Sequence, residues 1–392
     1  MEKLFIVGFG PGDESLLTTR SQAILSHAKR IFSTSRISKS SLEIQNFSLS
    51  ELLIQLHNPQ IGITVVLVSG DCCFFSISKQ LIDEFSNLYK IELINGISSI
   101  QYFSAKLAIP YDDAQIISMH GRNNRIVPKV CYHKKVFALT GGKYKAHNIC
   151  EMLWASGLGD VHVIVGENLS YHNERIKQGT ANELKDYIFD NLSVMYIENA
   201  NIQNIHISLC DEDFIRDDVP MTKEEVRWLS LQKLQIMPND IVYDIGAGTG
   251  SISVEIARKT YDGFVYAIET NTNACDLINM NREKHKAYNM TIINKKAPEG
   301  IESLPIPQKA LIGGSSGNMD SIIKCLIEKN SDIRIVANAI TLQSINQILE
   351  SFKKYGFICI DTICVNISKS KKAGGYDIMT AQNPVYIITG HK

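Results

Sequence analysis

The sequence predicts an α/β protein built from two successive domains, and three observations carry that prediction. Short apolar runs alternate with amphipathic stretches along nearly all of the 392 residues. Glycine-rich segments follow several of these runs, where an open α/β sheet passes from strand to helix. A charge-rich, weakly apolar stretch at residues 211–220 then breaks the pattern, which restarts with a fresh helix. Domains are expected at 1–207 and 221–392, joined by a linker at 208–220, and each is long enough to bury its own core.

In the first domain, strands are expected at residues 4–8, 64–69, 89–94, 115–119, 135–140, 161–166 and 193–198. Helical periodicity marks residues 15–28 and 146–155. After the linker, Thr222 reads as the N-cap of a helix reaching Leu234, with Glu225 as its capping-box partner. Strands follow at 241–245, 264–269, 290–294, 309–313, 333–338, 357–366 and 385–389. Helices between the first five, and an apparent closing hairpin, give this domain a seven-stranded Rossmann-like sheet.

Composition excludes several function classes. Apolar residues make up 44% and charged residues 21%, an ordinary globular balance. A formal net charge of -1 provides no basic field of the kind that drives nucleic-acid binding. The nine cysteines form no C-x-x-C pair and no Cys/His cluster at zinc spacing, so reduced thiols and no metal site are expected. The N-terminus lacks the basic flank and long apolar core of a signal peptide, and no apolar run reaches the roughly 20 residues of a membrane helix. A cytoplasmic protein without membrane association is expected.

The segment Tyr243-Asp244-Ile245-Gly246-Ala247-Gly248-Thr249-Gly250 places three glycines in five residues, where a ligand can approach without meeting a Cβ. A dinucleotide fingerprint needs its third glycine at the position of Ser251, and Gly250 comes one residue early. This spacing, with Asp244 before it and Glu269 ending the next strand, resembles S-adenosylmethionine (SAM) methyltransferases. A carboxylate at Glu269 can accept both ribose hydroxyls. A glycine-rich turn without a ligand is the alternative.

Residues 212–392 resemble the family of carbon-15 methyltransferases and decarboxylases of corrin synthesis. The resemblance runs through Phe214-Ile215-Arg216, Met221-Thr222-Lys223-Glu224-Glu225-Val226-Arg227, the glycine loop, Ala297-Pro298-Glu299 and Ile312-Gly313-Gly314-Ser315-Ser316-Gly317. It implies a class I SAM methyltransferase fold in which Thr222, Gly246, Ala247, Gly248, Thr249, Gly250, Glu269 and Ala297 hold SAM. Base-amine methyltransferases carry an Asn/Asp-Pro-Pro-Tyr/Phe motif after the fourth strand, and this chain does not. Gly313, Gly314 and Ser315 instead offer a loop of backbone donors, better suited to carboxylates of a large anionic substrate than to a flipped base. Lys369, Lys371 and Lys372, between the last two expected strands, either steer that anion or are simply solvated.

In the first domain, Val7-Gly8-Phe9-Gly10-Pro11-Gly12-Asp13 forms a stiff loop poor in side chains, able to face a large flat ligand. Val68-Ser69-Gly70-Asp71-Cys72-Cys73-Phe74, Asn95-Gly96-Ile97-Ser98-Ser99, Thr140-Gly141-Gly142 and Gly166-Glu167-Asn168 end later strands. The set resembles the tetrapyrrole methylase family over residues 4–205, and the branch that methylates precorrin carbon 5 through Ser118-Met119-His120-Gly121-Arg122. The resemblance implies a two-lobed class III methyltransferase with Pro11, Gly70, Asp71, Ser98, Ser99, Thr140 and Gly141 at SAM, and Gly10 and Asp13 toward the substrate. The family's proline after Ser-Gly-Asp is Cys72 here. His120 and Arg122 are the catalytic candidates, for contact with a polyanionic tetrapyrrole or for proton handling; a hydrogen-bonded His and a solvated Arg remain the alternative.

Together the resemblances imply a bifunctional SAM-dependent enzyme of cobalamin synthesis. It would methylate a tetrapyrrole of precorrin-6 or cobalt-precorrin-6 type at carbons 5 and 15 and decarboxylate the carbon-12 acetate. A homo-oligomer is expected, since relatives of each half oligomerise. The alternatives are an RNA or protein methyltransferase, which the absent base-gripping motif and near-zero charge oppose, and a partly inactive pathway scaffold, which the intact glycine loop opposes.

Overall fold

A computed structural model describes residues 2–34, 43–119, 125–202, 204–205 and 207–392. The chain forms two compact units. Met1–Asn124, Lys135–Trp154 and Gly159–Glu198 make the first; Arg125–Lys134, Ala155–Leu158 and Asn199–Lys392 make the second. The helix Ile126–Tyr132 therefore packs with the later chain: the Tyr132 hydroxyl donates to Asn289 Oδ1 at 2.7 Å, and Lys129 pairs with Asp262 at 2.7 Å.

The first unit holds two five-stranded sheets. One contains β1 (Glu2–Gly8), β2 (Arg30–Ser33), β3 (Gln45–Asn46), β4 (Ile63–Val68) and β5 (Tyr89–Ile94), all parallel, in the order β3-β2-β4-β1-β5. Its central strands are mostly apolar because both faces are covered: Leu4, Ile6, Val66 and Val68 enter one core, Phe5, Val7, Val65 and Leu67 the other. The second sheet contains β6 (Gln115–Ser118), β7 (Lys135–Leu139), β8 (His162–Glu167), β9 (Arg175–Thr180) and β10 (Ser193–Glu198), in the mixed order β6-β7-β10-β8-β9. The expected helix at 15–28 is a 3-10 turn, Glu14–Leu16, capped by Asp13, followed by the helix Thr19–Ser26 capped by Thr18.

The second unit contains one seven-stranded sheet. Its members are β11 (Ile241–Ile245), β12 (Phe264–Glu269), β13 (Met290–Asn294), β14 (Lys309–Ile312), β15 (Arg334–Ala339), β16 (Cys359–Val365) and β19 (Val385–His391). Their order is β13-β12-β11-β14-β15-β19-β16, with β19 antiparallel to both neighbours. Alternate residues of β11 serve opposite cores: Tyr243 and Ile245 face one, Val242 the other. The connection before β19 carries an exposed two-stranded hairpin, β17 (Ser368–Ala373) with β18 (Tyr376–Ala381).

One expectation is corrected at the start of this unit. The helix runs Glu224–Leu234 with Lys223 at its N-cap and no side-chain cap, so Thr222 does not cap it. Glu225 instead pairs with Lys369 at 2.8 Å, and Glu224 with the same lysine at 3.3 Å, so this lysine, read as either steering an anion or solvated, is held in ion pairs. Among the described residues, no helix is long and apolar enough to cross a membrane.

Candidate functional site

Strand order reverses between β11 and β14, and connections leave the sheet on opposite sides there, which opens a crevice beyond the strand ends. A cavity of about 1050 Å³ occupies it. Gly246, Ala247, Gly248, Thr249, Glu269, Ala297, Gly313, Gly314, Ser315 and Thr222 all line this cavity; of the residues proposed for this half, Gly250 alone is not in the lining. Gly250 has a different job. With φ +77 it starts the helix Ser251–Lys259, and a Cβ there would lie 2.9 Å from the Ile278 side chain.

Glu269 organises one end of the cavity. Its Oε2 accepts from Gly248 N at 2.9 Å, while Oε1 accepts from Thr270 N at 2.8 Å and Asn271 N at 2.9 Å. The Thr270 hydroxyl adds a third donor to Oε1 at 3.2 Å. A carboxylate offers about four lone-pair positions, so the open one is on Oε2. Asp244, fully buried behind the glycine loop, bonds the Ser253 hydroxyl. Burial pushes its carboxyl up to about 7; the Ser253 hydrogen bond opposes this and the charge of Glu269 adds to it. Thr249 Oγ1 is buried without a protein partner, and Ala297 presents a small side chain that is 6% exposed. A carboxylate with one free acceptor position on a cavity wall is what a ribose hydroxyl would use.

The loop after β14 behaves differently from its expected role as a row of donors. Gly313 N and Gly314 N both donate to Ile245 O, at 2.8 and 3.3 Å, so their N–H groups turn into the protein. What remains facing the cavity is the backbone surface of the two glycines, with Ser315 and Ser316.

Two supporting residues, Asn281 and Asn338, escaped the sequence reading, and Arg227 entered it only as part of a motif with no role of its own. Arg227, wholly buried, donates to Asp211 Oδ1 at 3.0 Å, to Leu209 O at 2.6 Å and to Thr222 O at 3.0 Å, fixing the segment that brings Thr222 to the cavity. Asn281, equally buried, donates to Thr249 O at 2.9 Å and Ile215 O at 2.8 Å and accepts from Ile215 N at 2.7 Å. Asn338, at the end of β15, reaches the far side of the cavity. Each is a polar residue inside an amphipathic helix or an apolar strand, and periodicity alone gives it no special weight.

In the first unit, the loops after β1, β4 and β5 converge. Gly10 and Gly70 exchange backbone hydrogen bonds at 3.0 and 2.9 Å. Asp71 accepts from Gly96 N at 3.0 Å, Asn95 Nδ2 at 3.2 Å and Cys73 N at 2.8 Å, so its carboxylate holds two loops together. Ser98 caps the helix Ser99–Leu107, accepting from Gln101 N at 3.1 Å, and Thr140 Oγ1 donates to Ser193 O at 2.7 Å. Asp13 N donates to Ser170 Oγ at 3.0 Å, joining the loop of Gly10, Pro11 and Asp13 to the one after β8. Gly141 exchanges backbone hydrogen bonds with Tyr144 at the end of β7. The ligand atoms of Asp71, Cys72 and Cys73 lie within 4.8 Å of one another, but Asp71 already accepts three hydrogen bonds and burial pushes the Cys72 thiol up to about 12. His120 and Arg122 lie outside the described residues.

Comparison with known proteins matches two successive parts of the chain. Residues 3–185 match the tetrapyrrole (corrin/porphyrin) methylases, and residues 213–392 match the precorrin methyltransferase domain. A probable cobalt-precorrin-6B C(15)-methyltransferase (decarboxylating) from Pyrobaculum calidifontis is 36% identical over 184 residues, 46% of this chain and 94% of that protein. A precorrin-6Y C(5,15)-methyltransferase (decarboxylating) from Sinorhizobium sp is 29% identical over 333 residues, 83% of this chain and 78% of that one. A crystal structure of precorrin-6y C5,15-methyltransferase from Geobacter metallireducens covers 47% of this chain and 97% of its own, with 35% identity and a TM-score of 0.45.

Proposed function

The chain belongs to the decarboxylating precorrin methyltransferases, with a tetrapyrrole methylase half preceding the precorrin methyltransferase half, and we propose that it carries two SAM-dependent active sites. The first half methylates a precorrin-6 type tetrapyrrole at carbon 5; the second methylates carbon 15 and releases carbon dioxide from the carbon-12 acetate. SAM, when bound, supplies an electrophilic methyl group. The protein's part is to bind, orient and exclude water, since transfer to an electron-rich meso carbon needs no protein nucleophile.

In the second half, Glu269 Oε2 has one acceptor position for a ribose hydroxyl. Ala297 leaves room for the flat adenine, and Thr222, freed from capping, adds a hydroxyl on the same wall. Asp244 stays half protonated near neutral pH, which limits the negative charge packed behind Glu269. The observation that carries the reading is the continuity of the cavity. Its lining takes in Glu269, Asn338, Ile367 and Val385, and its volume of about 1050 Å³ is at the upper end of the range for small-molecule sites. The apolar stretch of Met221, Ile340, Ile367 and Val385 suits the flat face of a tetrapyrrole.

In the first half, Pro11, Gly70, Asp71, Ser98, Ser99, Thr140 and Gly141 form the proposed second SAM site. The Thr140 hydroxyl gives its proton to Ser193 O, whereas the Ser98 hydroxyl only accepts, from Gln101 N, and keeps its proton to donate. Calorimetric titration of the full chain with SAM tests the reading: two equivalents per chain are expected, one would reduce it to a single working site, and none would overturn it.

A further inference from the structure

We propose that the Lys223 ammonium holds a carboxylate of the tetrapyrrole in the second half, one that survives the reaction, and so fixes the substrate against the methyl donor. The inference rests on the function proposed above and adds a substrate-contacting residue to it.

Lys223 stands where two parts of the cavity wall meet. On one side, the segment leading to it covers the glycine loop: a Cβ on Gly248 would lie 3.2 Å from Pro220 O. On the other, Lys369 of β17 pairs with Glu224 and Glu225, which fixes the root of the hairpin beside the same helical turn. Lys223 lines the cavity together with Gly248 on the first side and Ile367, Gln382 and Asn383 on the second.

The helix gives no reason for a lysine at this position. Lys223 is the N-cap of Glu224–Leu234, a place that favours Ser, Thr, Asp or Asn, and its side chain caps no backbone group. A cation there also opposes the positive end of the helix dipole. The acids that follow it, Glu224 and Glu225, are taken by Lys369. Among the described residues, the Lys223 side chain has no ion pair and no hydrogen bond, although it is partly buried. A cation kept on a cavity wall at a cost to its own helix, with no counter-charge in the protein, fits an anion that arrives with the ligand.

The position of Lys223 selects which anion. The other cations in the described lining, Lys295 and Lys296, follow β13 beside Ala297, at the end proposed for adenine. β13 is one edge of the sheet, and β19, which the hairpin precedes, lies five strands away. Lys223 is thus the lining cation on the hairpin side, where the macrocycle is proposed to lie. Asp217 and Asp218 also line the cavity and are exposed. They repel a polycarboxylate, which makes a counter-cation more necessary.

The chemistry restricts the carboxylate further. When the acetate leaves as carbon dioxide, the carbon–carbon bond breaks, its electron pair passes into the methylated ring system, and the carboxylate charge is lost. An ammonium paired with that carboxylate would stabilise the reactant and lose its partner on the way to the transition state. A retained carboxylate keeps the pair throughout, so the contact lowers KM and leaves kcat alone.

The test uses the full chain with Lys223→Met, Lys223→Arg and Lys223→Asn. Carbon-15 methylation, carbon dioxide release, SAM affinity and melting temperature are followed in each. Lys223→Met should raise KM for the tetrapyrrole in carbon-15 methylation about tenfold, the effect of one partly solvated charge-assisted contact, with kcat and SAM affinity within about threefold. Carbon dioxide released per methyl transferred should match the wild type. Lys223→Arg should keep KM within about threefold. Lys223→Asn supplies the missing cap, so it should raise the melting temperature by about 2 °C while raising KM as much as Lys223→Met does. A merely structural lysine would instead lose melting temperature and KM together, and that result would overturn the proposal. An unchanged KM in Lys223→Met would do the same. So would a loss of SAM affinity that is absent with decarboxylated SAM, which would give the lysine to the cofactor's carboxylate. A lower kcat with less carbon dioxide per methyl would place Lys223 at the departing acetate and also overturn it. Absence of carbon-15 methylation by the wild-type chain would refute the proposed function itself.

Discussion

Replacing Gly246 with alanine tests whether the two loops flanking the proposed SAM site must touch. Gly246 has φ +73, and a Cβ there would lie 2.6 Å from both the N and O atoms of Gly314 and 2.8 Å from its Cα. All three are backbone atoms, so no side-chain rotation relieves the clash. Carbon contacts relax only near 3.5 Å, which requires the loops to separate by the best part of an ångström. The left-handed conformation adds about 1–2 kcal/mol of strain for a residue with a Cβ. A misplacement of about 1 Å costs on the order of a hundredfold in rate, and strain of this size costs about tenfold in affinity. Gly246→Ala is therefore expected to weaken SAM binding in the second half about tenfold and to lower carbon-15 methylation about a hundredfold, with carbon-5 methylation within twofold of wild type. Gly356→Ala is the control: its φ of +72 imposes similar strain, but a Cβ there meets nothing within 4 Å. Calorimetry and product analysis read both variants. If Gly246→Ala kept wild-type affinity and rate, or lost no more than Gly356→Ala, the argument from loop contact would fail.

Three further outcomes are expected. The carboxyl of Asp244 titrates near 7 when folded and near 3.8 when unfolded, so the folded chain holds the extra proton between these values and stability falls as pH rises through that window. The contribution is about 4 kcal/mol at most, and Asp244→Asn should flatten the difference in urea stability between pH 5 and pH 8; parallel profiles would contradict it. Arg227→Met strands the buried Asp211 and frees Thr222 O, so it should cost about 3–5 kcal/mol in chemical denaturation, and a loss under about 1 kcal/mol would show that the pair is dispensable. In the native chain an alkylating agent at pH 8 should label exposed Cys73 and spare buried Cys72, whose thiol burial pushes up to about 12; equal labelling would contradict that environment.

The parts of the fold most legible in the sequence were those where one physical rule dominates. Buried parallel strands such as Ile241–Ile245 and Phe264–Glu269 are apolar apart from one acid each, Asp244 and Glu269, and their ends fall where the sequence places them. The glycine loop was legible because positive φ at Gly246, Gly248 and Gly250 demands glycine. Thr222 was misread as a cap because Thr with Glu three residues on satisfies the capping-box pattern, whereas Lys369 arrives from a distant hairpin to take Glu225. The strand Arg175–Thr180 was missed because an edge strand with mostly exposed residues shows no apolar alternation. Gly313 and Gly314 looked like free donors because the sequence does not show that Ile245 O lies within reach of both. Arg227, Asn281 and Asn338 act through partners far away in sequence, which local patterns do not encode.

Mass analysis of the product after exhaustive reaction of the full chain with deuteromethyl-SAM and a precorrin-6 type tetrapyrrole tests the central claim most directly. Two labelled methyl groups and the loss of one carbon dioxide are predicted. A single labelled methyl with the acetate retained would contradict a chain that carries both activities.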